Sequence, residues 1–328
     1  MQTVNARRLR SLLTAFRSKR ILVLGDAILD QYLWGSVSRI SPEAPVPVVE
    51  VNRETFVPGG AANVARNITS LGGHAEFISV IGRDAMGAKL KELLREERVV
   101  TEHAVVQHER PTAVKSRVIA QKQQMIRIDR EDRTALNGET TRQVVAQLAQ
   151  ALPGSDAVIL VDYDKGFLTQ GLLDQAMKLA RRARKIVTVD PKPSHSLRMS
   201  GMTAIKPNRS EAYAFSGAGR DASIDEVGQR LLRKWRPRHL LVSLGSEGLA
   251  LFESNRKAFR IPTMAREVFD VSGAGDTTMA VFTLALAAGA RSIEAAIIAN
   301  HAAGVVVGKV GTATVSPEEL IASFERER

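Results

Sequence analysis

Short, largely apolar runs recur along the chain at residues 21–24, 77–81, 157–161, 186–189 and 240–243. Runs this short and without alternation fit strands buried on both faces. Between them, residues 85–97, 140–151, 172–183 and 224–234 repeat their apolar positions at helical spacing. Strand and helix in turn imply an α/β fold, a mostly parallel sheet with helices on both faces. Sites in such sheets lie beyond the carboxyl ends of the strands.

Two segments break this pattern. Pro42, Pro45 and Pro47 lead into the apolar stretch 46–51, and residues 113–129 alternate polar and apolar positions. Both read as extra strands with one exposed face, a small β-sheet lid inserted at about 34–51 and 111–129 in a single domain spanning 1–328. Its uncovered edges predict a homodimer joined through the lid. At the N-terminus, Arg7, Arg8, Arg10, Arg17, Lys19 and Arg20 mimic a transit peptide. However, Leu9, Leu12, Leu13 and Phe16 recur at helical spacing directly before the first strand, which predicts an integral helix instead.

Composition narrows the function. With 328 residues, 44% of them hydrophobic, the chain can bury a large core, and a disordered or fibrous protein is excluded. The lack of cysteine removes disulfides, thiolate chemistry, Cys-type zinc sites and iron–sulfur clusters, and makes the cytoplasm the expected setting. No apolar run reaches the roughly 20 residues of a membrane span, so no membrane partner is expected.

Charge needs more care, because 46 Lys+Arg against 35 Asp+Glu give a net charge of +11. A basic nucleic-acid-binding protein is the reading from a different class. No helix-turn-helix signal or aromatic stacking surface accompanies the charge, so no nucleic-acid partner is expected. The cations cluster instead at 110–133 and 181–209, patches that would serve any polyanion, a small phosphorylated metabolite included.

The richest stretch for chemistry is Asp270-Val271-Ser272-Gly273-Ala274-Gly275-Asp276, followed by a small-residue and apolar run. Glycines there permit a tight turn into a buried helix, whose free amides and dipole attract an anion such as a phosphate. Asp276, in the first turn, is then either a helix cap or a general base beside the transferred group. Asn208 and Glu211 have the spacing of a capping box. Other enzyme classes lack their signatures: there is no P-loop, no protein-kinase set and no dinucleotide fingerprint, and the six histidines form no metal-ligand pair at helical spacing.

These residues carry a family resemblance. Asp270–Asp276 resembles the C-terminal signature of the ribokinase-like, or PfkB, carbohydrate kinases, and Gly59-Gly60-Ala61-Ala62-Asn63 resembles their N-terminal Gly-Gly-x-x-x-Asn element. Gly25-Asp26 with Asp30, Asn208-Arg209-Ser210-Glu211 and Ser243-Leu244-Gly245 follow in the family's order, so the resemblance runs from about residue 21 to 316. Within the family, Arg39-Ile40-Ser41-Pro42-Glu43-Ala44-Pro45, Asp162-Tyr163-Asp164-Lys165-Gly166 and Asp190-Pro191-Lys192 are most similar to the branch that phosphorylates D-glycero-β-D-manno-heptose 7-phosphate. No His-x-Gly-His nucleotide element follows before Arg328, so the likeness is to the stand-alone kinase form.

The resemblance implies a three-layer α/β/α kinase using ATP with Mg²⁺, and K⁺ as a further activator. Asp276 would be the base, and Gly273, Ala274 and Gly275 the anion hole. Asp30, Gly59, Gly60 and Asn63 would bind the sugar, with Lys165, Lys192 and Arg117 for its distal phosphate. Asn208, Glu211, Ser243, Gly245 and Asn300 would meet the nucleotide, Asn208 and Glu211 reaching Mg²⁺ through water. Asp270 would adjoin a monovalent cation. Fructose 1-phosphate and tagatose 6-phosphate kinases are the nearest alternatives in this family.

Overall fold

The computed structural model describes residues 4–121, 123–194, 197–265 and 267–326. Helix α1 (Ala6–Phe16) is integral, as predicted. Asn5 caps it, and Leu9, Leu12, Leu13 and Phe16 are buried. Strand β1 (Arg20–Gly25) follows, and after Asp26 the chain turns into β2 (Ala27–Ile40), which pairs with β3 (Pro47–Gly60). Next come α2 (Ala61–Ser70), β4 (His74–Ile78), β5 (Val80–Gly82), α3 (Ala85–Glu96), β6 (Val105–Gln107), β7 (Ala113–Ala120), β8 (Gln123–Arg130) and α4 (Gly138–Ala151). The second half holds β9 (Ala157–Val161), α5 (Gln170–Arg182), β10 (Ile186–Asp190), β11 (Ala204–Ile205), α6 (Arg209–Ser216), α7 (Ile224–Trp235) and β12 (His239–Ser243). It closes with β13 (Leu249–Phe252), β14 (Phe259–Ile261), α8 (Ala274–Ala287), α9 (Ser292–Val306) and α10 (Pro317–Glu325).

The main sheet has the order β14-β13-β12-β11-β10-β9-β1-β4 and is parallel except for β13 and β14 at one edge. Its central strands explain the apolar runs. Ile21 and Val23 of β1, with Ile159 of β9, enter one core, whereas Leu22, Leu24 and Leu160 enter the other. The first core packs α1, α2, α8, α9 and α10 on one face, and the second packs α4, α5, α6 and α7 on the other. Helix α8 is buried along most of its length, against α9 and α2, which is why its sequence lacks a polar face.

The expected strand 77–81 divides. Ser79 is buried and its hydroxyl donates to the Gly25 carbonyl at 2.6 Å, leaving β4 in the main sheet while β5 joins β6 in a small pair. The lid is a four-stranded sheet of order β3-β2-β7-β8 and reaches deeper than the expected 34–51. Strands β2 and β3 extend inward to Ala27 and Gly60, because residues 27–30 and 58–60 are buried against the body. Among the described residues, no helix is long and apolar enough to cross a membrane.

Candidate active site

A cleft of about 1530 Å³ opens beyond the carboxyl ends of the strands and is lined by Asp190, Lys206, Asn208, Ser243, Gly275 and Asp276 among others. That volume exceeds the usual range for one small ligand and has room for a nucleotide beside an acceptor.

Asp276 sits in the first turn of α8, only 3% exposed, with both carboxylate oxygens taken. Asn63 Nδ2 donates to Oδ2 at 2.8 Å, and the Tyr163 hydroxyl donates to Oδ1 at 2.6 Å. Asn63 is fixed from behind by Asn67, whose amide donates to the Asn63 carbonyl at 2.8 Å and whose own oxygen accepts from Thr277 at 2.8 Å. A buried polar ladder therefore stitches α2 to α8. Burial pushes the Asp276 carboxyl up to about 6, with Asn63 and Tyr163 opposing the rise.

The turn before α8 shapes the start of that helix. Gly273 has φ +80°, a left-handed conformation natural to glycine, and a Cβ there would stand 2.8 Å from Asn63 Nδ2. In this tight turn the Ala274 amide, expected among the free donors, instead points back to the Val271 carbonyl at 3.3 Å. The following amides, of Gly275, itself one of the expected donors, and of Asp276, lie in the first turn of α8, where an amide has no acceptor within its own helix. Lys206 lies against Gly275, its ammonium 2.9 Å from Asp190. Burial raises the Asp190 carboxyl, with Lys206 and Lys192 pulling the other way.

On the α6 side, Asn208 and Glu211 form the expected capping box, and the helix start they cap faces the cleft. Glu211 receives the Asn208 amide on one oxygen and the Lys192 ammonium on the other. Among the described residues no group of metal-ligating side chains gathers. Ser243 and Gly245 also line the cleft, as does Asn300, whose amide donates to the Pro262 carbonyl at 2.7 Å. Asp270 ties two loops together, accepting from Ser272 N at 2.8 Å and from Gly311 N at 3.1 Å.

The remaining predicted residues occupy the lid and its base. Asp30 is buried on β2 and bound by Arg117 of β7 at 2.6 Å, while Gly59 on β3 leaves room for the Asp30 carboxylate to approach. Gly60, at φ +57°, makes the turn into α2. Asn63 is wholly buried, with its amide committed to Asp276. Of the three cations expected at the distal phosphate, Lys165 pairs with Glu131 at 2.7 Å, Lys192 with Glu211, and Arg117 with Asp30 at 2.6 Å.

Tyr163, Lys206 and Asp190 had no assigned role in the sequence reading. Tyr163 and Asp190 lie within the family-like passages 162–166 and 190–192, and all three residues sit at or just past the end of a strand.

The family model described as pfkB family carbohydrate kinase matches residues 18–319. "Bifunctional protein HldE" of Desulfatibacillum aliphaticivorans is 45% identical over 312 residues, covering 94% of this chain, and the chain spans 64% of that relative's length. The fold is shared with Escherichia coli phosphofructokinase-2 in complex with potassium, at TM-score 0.76 and 24% identity over 94% of this chain and 99% of that one. It is shared too with Arabidopsis thaliana ribokinase complexed with ribose and ATP, at TM-score 0.74 and 19% identity over 94% and 98% of the two chains. By the extent of the family match and the ordered motifs it contains, this chain belongs to the pfkB family of carbohydrate kinases.

Proposed function

We propose that this chain transfers the γ-phosphoryl group of ATP to the anomeric hydroxyl of D-glycero-β-D-manno-heptose 7-phosphate, giving heptose 1,7-bisphosphate and ADP. The observation that carries the reading is Asp276, a buried carboxylate with a pKa near 6, beside free amides at the start of α8. In the transfer, the bond from the acceptor oxygen to the γ-phosphorus forms, the bond from that phosphorus to the ADP oxygen breaks, and Asp276 takes the hydroxyl proton. The Gly275 and Asp276 amides, with Lys206, meet the charge on the phosphoryl oxygens. Asp30 and the backbone at Gly59 and Gly60 hold the sugar hydroxyls. Asn63 acts by fixing the base.

Asn208 and Glu211 would hold magnesium through water, where it neutralises phosphate charge when bound with ATP. Each Asp270 oxygen keeps a second lone pair, which suits a monovalent cation such as the potassium of the E. coli phosphofructokinase-2 structure. The acceptor assignment rests on the passages at 39–45, 162–166 and 190–192, and on the 45% identity to a protein named HldE.

Measuring ADP release across a panel of sugars and sugar phosphates tests the reading, with the highest kcat/KM expected on the heptose 7-phosphate. Higher efficiency on fructose 1-phosphate or tagatose 6-phosphate overturns it. In the same assay, Arg117→Ala is expected to raise KM for the sugar phosphate about tenfold or more, the worth of one charge-assisted contact. Lys192→Ala should raise KM for ATP instead, since Lys192 pairs with Glu211 on the nucleotide side.

Ile40, Val46, Met125, Ile126 and Ile128 expose apolar surface on the lid, which supports a homodimer through that sheet. Light scattering at micromolar concentration should return twice the chain mass of 35.7 kDa. A monomer mass counts against the dimer.

A further inference from the structure

Tyr163 follows β9 at the carboxyl edge of the sheet, and three elements hold it there. Its backbone amide donates to Asp26 Oδ2 at 2.7 Å, and Asp26 Oδ1 accepts from Phe167 N at 3.2 Å, so one buried carboxylate pins both ends of the loop. The Lys192 ammonium lies 5.6 Å from its ring centre, on the nucleotide side. Its hydroxyl reaches Asp276 Oδ1 at 2.6 Å, opposite the donor from Asn63.

This phenol cannot accept the reaction's proton. Burial, then the negative charges of Asp276, Asp190 and Asp30, hold its pKa well above the ordinary tyrosine value, so it stays a donor throughout the working range. A donor on each oxygen favours the carboxylate over the neutral acid, which would have to place its own proton where a donor already points. The other charged groups acting on Asp276 are Asp190 of β10, which disfavours its negative charge, and Lys206 beyond β11, which favours it, with Lys192 farther along the cleft.

We propose that Tyr163 is a positioning residue of phosphoryl transfer, fixing the orientation of the Asp276 carboxylate and stabilising its charged form. The inference rests on the reading of Asp276 as base and names the group that makes that base usable near neutral pH. Loss of the hydroxyl then has two effects that a merely structural tyrosine would not combine. Turnover falls, and the acid limb of the pH–kcat profile moves toward higher pH because a group that lowered the Asp276 pKa has gone.

The test compares pH–kcat profiles of the wild-type chain, Tyr163→Phe and Asp276→Asn, with unfolding temperatures recorded for each. Tyr163→Phe should lower kcat about tenfold, the worth of one hydrogen bond to a charged group, and raise the acid-limb pKa by about one unit. KM for ATP should stay within about twofold, because Tyr163 is assigned no contact with the nucleotide. A folded Tyr163→Phe variant with an unmoved acid limb overturns the inference while leaving Asp276 as base. Near-normal turnover in Asp276→Asn sinks the underlying reading instead. If Tyr163→Phe does not fold, 3-fluorotyrosine placed at position 163 keeps the shape and makes the phenol a stronger donor. The acid limb should then move to lower pH, and no movement overturns the inference.

Discussion

Asp276→Asn is expected to reduce turnover at least about a hundredfold, the lower range for loss of a general base, with KM for ATP and sugar phosphate little changed. Asparagine matches the carboxylate in size, and the Tyr163 hydroxyl that donates to Asp276 can turn to accept from the new NH2 group, but the amide cannot take a proton from the acceptor hydroxyl. Steady-state kinetics of ADP release check the outcome, and near-normal turnover removes Asp276 from the base role. The wild-type profile makes a linked prediction. Burial raises the carboxyl to about 6, so the ionised base is the major form above that pH and is lost as pH falls through it. kcat should accordingly drop about tenfold for each unit below pH 6, and a flat profile from pH 7 to 5 would contradict the assignment.

Gly273→Ala is expected to cost about a hundredfold in kcat, although residue 273 supplies no side chain to the reaction. At φ +80° an alanine is strained by about 1–3 kcal/mol. Its methyl group would also stand 2.8 Å from Asn63 Nδ2, the atom that donates to Asp276. Relieving that contact moves the base, or turns the start of α8 and its amides away from the phosphoryl group. Loss of one such donor is worth about 10²–10³ in rate. Turnover measured beside the unfolding temperature separates the effects: a variant that is destabilised yet turns over normally would show that this turn is structural only.

Much of the fold was legible because buried parallel strands leave an unmistakable trace. Residues 157–161 are apolar throughout since each side chain meets one core or the other, and β9 has those bounds. The two-residue β11 left no run to find, and the division of 77–81 at Ser79 comes from a hydrogen bond to the Gly25 carbonyl that no periodicity records. The site divided along similar lines. Residues 270–276 and 208–211 could be read because local spacing sets a helix start and its cap. Tyr163 and Lys206 could not, because their partners Asp276 and Asp190 are remote in sequence and come near only through sheet order. The partners of the cations predicted for the distal phosphate were hidden for a related reason. A lysine's charge is visible in sequence, but the glutamate that occupies it is not, as Glu131 does for Lys165.

The direct join from Gly60 of β3 to Ala61 of α2 has a practical meaning for redesign. Although Gly59 and Gly60 end a lid strand, they are continuous with the helix that carries Asn63, so residues 59–63 move with the Asp276 carboxylate that Asn63 binds. The hairpin beyond the Asp30–Val57 pair, together with its β7 and β8 partners, is joined to the body only through its base, so it is the segment to exchange in a test of acceptor choice. On the proposed function, a chimaera spliced there is expected to change sugar preference while Asp276 keeps its place at the start of α8.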